Sequence, residues 1–78
     1  MIRIYKPVVI YCKQLDYLRD EETYEIEYKY MNKKFITTMR RNLVNYECTF
    51  EPQLEKSMNQ KEFEVQILKI VRRIKAHI

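Results

Sequence analysis

The segment Thr23-Tyr24-Glu25-Ile26-Glu27-Tyr28-Lys29-Tyr30 alternates apolar and polar side chains without a break. Tyr24, Ile26, Tyr28 and Tyr30 occupy one set of positions; Thr23, Glu25, Glu27 and Lys29 occupy the other. Successive side chains of a strand point to opposite faces, so this period predicts a strand with one covered face. Tyrosine, isoleucine and threonine also favour extended backbone. The four tyrosines Tyr24, Tyr28, Tyr30 and Tyr46 are expected on the core side, with their hydroxyls reaching the sheet rim.

Working outward, Met31-Asn32-Lys33-Lys34 reads as a turn, with Asn32 taking the left-handed conformation. A return strand follows at 35–40, where Phe35, Thr37 and Met39 alternate with Ile36, Thr38 and Arg40. Arg41-Asn42 reads as the next turn. Residues 43–51 alternate again, which predicts Val44, Tyr46, Cys48 and Phe50 pointing inward. On the other side, residues 14–22 read as a loop or a single helical turn with a solvated acidic cluster. Residues 2–13 read as a strand, with Ile2, Ile4, Val8, Ile10 and Cys12 on one face and Tyr5, Val9 and Tyr11 on the other. Pro7 lacks an amide donor and marks an edge or a bulge. Short turns between successive strands favour an antiparallel meander.

Asn59-Gln60-Lys61-Glu62 fits a capping box, and Met58 with Phe63 fits a hydrophobic staple. The final helix is therefore expected to start near residue 60. Phe63, Ile67, Ile70, Val71, Ile74 and Ile78 fall within roughly 100° of arc on such a helix. Leu68 flanks the stripe and Val65 lies opposite. The expected fold is a single α+β domain over 1–78: a four-stranded antiparallel meander packed by one C-terminal amphipathic helix.

Composition removes several kinds of site. The chain has 78 residues and no glycine. Phosphate loops need backbone amides that side chains do not shield, so those nucleotide-binding motifs are excluded. The one histidine, His77, is distant from Ser57 along the expected helix, which opposes a nucleophile–base pair. Two cysteines and one histidine do not make a tetrahedral metal site. Cys12 and Cys48 read as buried thiols, and their spacing supports no particular disulfide. No enzyme, cofactor or metal is expected. The longest apolar run, Val8 to Cys12, is far short of the ~20 residues of a membrane span. The N-terminal residues lack an apolar leader, and a reduced cytoplasmic protein is the expectation.

The chain carries 15 basic and 11 acidic residues, a net charge of +4. Lys69, Arg72, Arg73 and Lys75 account for the whole excess, so the charge belongs to the final helix. There it also complements the negative end of the helix dipole. Phe, Tyr, Met, Ile, Asn and Lys supply 36 of the 78 residues, and Gly, Ala, Arg and Pro only 9. That bias follows A/T-rich codons and suggests an A/T-rich genome as source, such as a low-GC bacterium, its phage or another mobile element.

These features together lead us to expect a small protein-binding module. Its role would be that of an accessory protein that inhibits or adapts a larger host protein, such as a defence nuclease, a CRISPR effector or a toxin. Tyrosine and arginine are enriched at binding hot spots, which selects Tyr5, Tyr11, Tyr17, Arg40, Arg41, Arg72 and Arg73 as contact residues. The alternative is nucleic-acid binding through Lys33, Lys34, Lys69, Arg72, Arg73 and Lys75. The acidic residues Glu25, Glu27, Glu47 and Glu51 of the opposite sheet face oppose that reading. A homodimer formed through a strand edge is a further expectation, since so short a chain covers its apolar surface poorly.

Overall fold

A computed structural model describes residues 6–76. It contains β1 (Val8–Tyr17), β2 (Glu21–Tyr30), β3 (Lys33–Asn42), β4 (Cys48–Glu51) and α1 (Gln60–Ala76). The strands form one antiparallel sheet in the order β1-β2-β3-β4. The helix packs on one face, giving the expected α+β meander.

The β2–β3 hairpin runs in unbroken register from Glu21 opposite Asn42 to Tyr30 opposite Lys33. Its turn has positive φ at both Met31 (52°) and Asn32 (62°). A tight hairpin turn of this kind matches the right-handed twist of its strands and needs positive φ at both central residues. Asn32 tolerates that conformation; Met31 adopts it because the uninterrupted ladder leaves no room for another turn.

Residues directly opposite in an antiparallel ladder share a face. The covered face therefore carries Tyr24, Ile26, Tyr28 and Tyr30 of β2, with Phe35, Thr37 and Met39 of β3 and Phe50 of β4. Phe63, Ile67 and Val71 of α1 are buried against it. Tyr28 stacks on Phe35 at 5.3 Å between ring centres and meets Phe63 edge-on at 4.8 Å. Buried hydroxyls are paired: Tyr30 with Ser57 Oγ at 2.9 Å, and Thr37 donating to the Pro52 carbonyl at 2.9 Å. The apolar stripe of the helix stops short of expectation, because Ile74 is exposed. The core ends one turn earlier, at Val71, where Glu22 takes over the sheet face.

The helix starts where the capping signal placed it. The Glu62 N–H donates to Asn59 Oδ1 at 3.2 Å, and the staple residues Met58 and Phe63 are both buried. Asn59→Ala should cost about 1 kcal/mol, the usual value of an N-cap side chain. For a domain of this size that lowers the thermal midpoint by about 4–8 °C. An unchanged melting curve by circular dichroism would show the cap to be idle.

Three local expectations are corrected. Among the described residues the first strand runs over 8–17, past its expected end at 13, and residues 14–17 continue the ladder instead of forming a loop. Its register shifts between Val9 and Tyr11, and again between Gln14 and Asp16. Ile10 and Leu15 are the extra residues, and each reverses the alternation. Val9 and Cys12 consequently pack on the core, while Val8 and Ile10 are exposed. The Arg41-Asn42 turn is also displaced: β3 continues through Asn42, and residues 43–47 make the connection. Val44 and Tyr46 therefore do not point inward, and only Cys48 and Phe50 of that set pack on the core. Tyr5, Ile2, Ile4, His77 and Ile78 lie outside the described residues.

Candidate interaction surface

The 43–47 connection is built by two asparagines. Asn42 Oδ1 accepts from the N–H groups of Val44 (2.8 Å) and Asn45 (3.2 Å), and Asn45 Oδ1 accepts from Glu47 N–H at 3.0 Å. The Asn42 N–H closes the loop on the Glu47 carbonyl at 2.9 Å. Side-chain amides of this kind replace backbone partners and hold a turn in one shape. Tyr46 is thereby held at φ 61°, an uncommon conformation for an aromatic residue. The loop presents Val44 and Tyr46 outward, 74% and 67% exposed.

A second turn lies beside it. The Leu43 N–H donates to the Asp20 carbonyl at 2.9 Å, tying the loop to the 18–20 turn between β1 and β2. Leu18 is exposed there, and Tyr17, the last residue of β1, is 66% exposed. Two turns thus bring two tyrosines, a leucine and a valine to one end of the sheet.

Under this end sits Glu22, 2% exposed. Its register partners are Tyr17 on β1 and Arg41 on β3. Its carboxylate accepts from Tyr24 Oη–H at 2.8 Å and from Lys75 Nζ, and Arg41 Nη1 lies 3.9 Å away. Burial alone would raise the Glu22 pKa. The hydrogen bonds from Lys75 and Tyr24 and the charges of Lys75 and Arg41 outweigh it, holding the carboxyl below its ordinary value of 4.5. Tyr24 moves the other way: burial and the adjacent carboxylate push its hydroxyl well above 10. The Arg41 guanidinium also lies 5.5 Å from the centre of the Tyr46 ring, a cation–π contact. Glu22 thus ties together the last turn of α1, the end of β3 and the exposed Tyr46.

The sequence-selected contact residues divide among surfaces. Tyr17 and Arg41 belong to this end. Arg72 and Arg73 are exposed on α1, and Arg72 lies on the same helix flank as Lys75. Tyr11 and Arg40 lie on the open sheet face, opposite Glu27 and Thr23. The residues chosen for nucleic acid fall in two separate groups, Lys69, Arg72, Arg73 and Lys75 on α1 and Lys33 and Lys34 at the hairpin turn. Lys33 and Lys34 start β3 at the hairpin turn, whereas Lys75 meets Glu22 eight residues down β2, about 26 Å away at strand rise. Lys75 is also already engaged.

Leu18, Val44 and Tyr46 were missed by sequence reasoning. The signal was present in Asn42 and Asn45, whose spacing suits consecutive side-chain-closed turns. It was masked by a period-2 pattern that continues into Cys48 and Phe50.

Among the described residues, reactive groups do not converge elsewhere. Cys12 and Cys48 are free, and burial raises both thiol pKa values; Glu64 adds to the effect at Cys48, and Arg41 opposes it. Neither is activated as a thiolate. A surface groove of about 380 Å³ between β4 and residues 53–60 is lined by Cys48, Phe50, Leu54 and Met58 among polar neighbours. Among the described residues no three His, Cys, Asp or Glu side chains are grouped to hold a metal ion. No described helix is long and apolar enough to cross a membrane. Comparison of the chain with protein-family models, with characterised proteins and with solved structures finds no match.

Proposed function

We propose that this chain is a non-enzymatic protein-binding module that docks a larger protein through the end of the sheet formed by Tyr17, Leu18, Val44 and Tyr46. The observation that carries this reading is the 43–47 loop. It spends four hydrogen bonds and a left-handed tyrosine on holding two apolar side chains in solvent. Exposed aromatics held rigid lose little conformational entropy on binding, which is what makes tyrosine effective at interfaces. The exposed cations Arg72 and Arg73 suit a partner with an acidic rim, and the net charge of +4 favours encounter with it. The A/T-rich residue bias supports an accessory role in a phage or mobile element, acting on a host protein.

The test is affinity capture of the tagged chain from its native host, compared among variants of equal thermal midpoint. Tyr17→Ser combined with Tyr46→Ser should weaken partner binding by about 30-fold or more, the effect of losing a hot spot of ~2 kcal/mol. Arg72→Ala with Arg73→Ala should slow association and weaken its salt dependence while leaving the midpoint nearly unchanged. Equal capture by wild type and the tyrosine variant would remove this surface from the interface. Recovery of nucleic acid alone, with affinity falling steeply on a log–log salt plot, would replace the proposal with phosphate-backbone binding.

A further inference from the structure

The two edges of the sheet are unlike. β4 is four residues long and ends at Pro52, so it offers little to a neighbouring strand. β1 is ten residues long, and among the described residues no strand pairs with its outer side. Val8, Ile10, Tyr11, Leu15 and Tyr17 are all exposed along it. Both ends of this edge are occupied by side chains. At the start, the Val9 N–H donates to Gln66 Oε1 at 2.7 Å, and Gln66 Nε2 donates to the Pro7 carbonyl at 3.1 Å. The Gln66 amide thus sits on the edge as a neighbouring strand would. At the finish, the Tyr17 N–H donates to Asp16 Oδ1 at 2.8 Å. Among the described residues no side chain accepts from the amides of residues 10–16.

We infer that the open middle of β1 pairs antiparallel with β1 of a second copy of this chain, about a two-fold axis at Cys12. Directly opposite residues of an antiparallel pair share a face, so a two-fold axis must fall on a residue and not between two. Between the two bulges, the regular stretch 11–14 offers Cys12 or Lys13. An axis at Lys13 sets its ammonium against its own copy, and like charges directly opposite are destabilising. An axis at Cys12 sets Lys13 against the Tyr11 ring of the second copy, a favourable cation–aromatic contact. It also sets Val9 opposite Leu15, so the pairing runs over 10–14 and closes at the Gln66-held amide of each copy. Such an isologous pair uses up both long edges, and the short β4 edges that remain do not propagate a filament.

The axis position is tested by cross-linking. In the Cys48→Ser chain, copper-phenanthroline should join two copies through Cys12, because opposed residues lie about 4.5–5.5 Å apart at Cα, within the disulfide range. Lys13→Cys in the Cys12→Ser/Cys48→Ser chain should cross-link about tenfold more slowly, since its thiols face Tyr11 and not each other. Sedimentation of the untreated, unsubstituted chain over a concentration series should show the mass rising from one chain to two. A single-chain mass throughout would overturn the inference and leave the edge to a strand from another protein. Faster cross-linking at position 13 would overturn the axis. Neither result bears on the Tyr17–Tyr46 surface, whose test reads capture of a different protein.

Discussion

Phe63→Ala is expected to remove about half of the protein's stability. Phe63 is fully buried, with its ring 4.8 Å from Tyr28 and 5.7 Å from Phe50. Tyr28 in turn stacks on Phe35. One helix side chain thereby joins β2, β3 and β4, and nothing else the size of a benzene ring enters the core from α1. Truncating a buried phenylalanine costs about 3–5 kcal/mol. At 0.05–0.15 kcal/mol per residue, a chain of this length has roughly 4–12 kcal/mol in total. Urea unfolding followed by circular dichroism should therefore show a midpoint reduced by about half or more. Val65→Ala, on the exposed side of the same helix, should stay within about 0.5 kcal/mol. Equal effects at the two positions would mean that the helix does not close the core.

Glu22→Gln should cost about 1–3 kcal/mol at neutral pH, because Lys75 and Arg41 lose the charge they face. The effect is expected to vanish in acid. The folded-state pKa of Glu22 lies below its ordinary value of 4.5. Its contribution is therefore fully present above that value and is lost as the pH falls through the lower, folded-state value. Urea midpoints of the unsubstituted chain and the variant, measured from pH 7 to pH 3, should differ at the upper end and converge at the lower. Parallel curves would show that the carboxylate's charge contributes nothing. The carboxylate is covered by the two cations and Tyr24, not by depth of protein, so the lower half of that range is the better expectation.

Legibility in the sequence followed the range of the interactions. The alternation of 23–30, the asparagine in the hairpin turn and the Asn59 cap are each decided within a few residues, and each was read correctly. The bulges at Ile10 and Leu15 leave no such mark. An extra residue in a ladder is defined by the partner strand, and either face of residues 8–12 is apolar enough to be the inner one. Glu22 shows the same division. From sequence it belongs to an acidic cluster in a loop; in the fold it is buried, because β1 continues alongside it and Lys75 arrives from the far end of the chain.

Amino-acid order alone determined the class of fold, the β2–β3 hairpin, the helix and its start, and the absence of glycine-dependent phosphate loops. These rest on backbone preference and on the periods 2 and 3.6, which are local. Tertiary structure decided where β1 and β4 stop, which residues of β1 face inward, and that Tyr17, Val44 and Tyr46 share one end of the molecule. A period-2 pattern is satisfied equally by a strand and by an exposed loop that happens to alternate. What selects the loop is the set of bonds that Asn42 and Asn45 make within residues 42–47, anchored to the rest of the sheet by the Leu43 N–H on the Asp20 carbonyl and by Arg41, which meets both Glu22 and Tyr46.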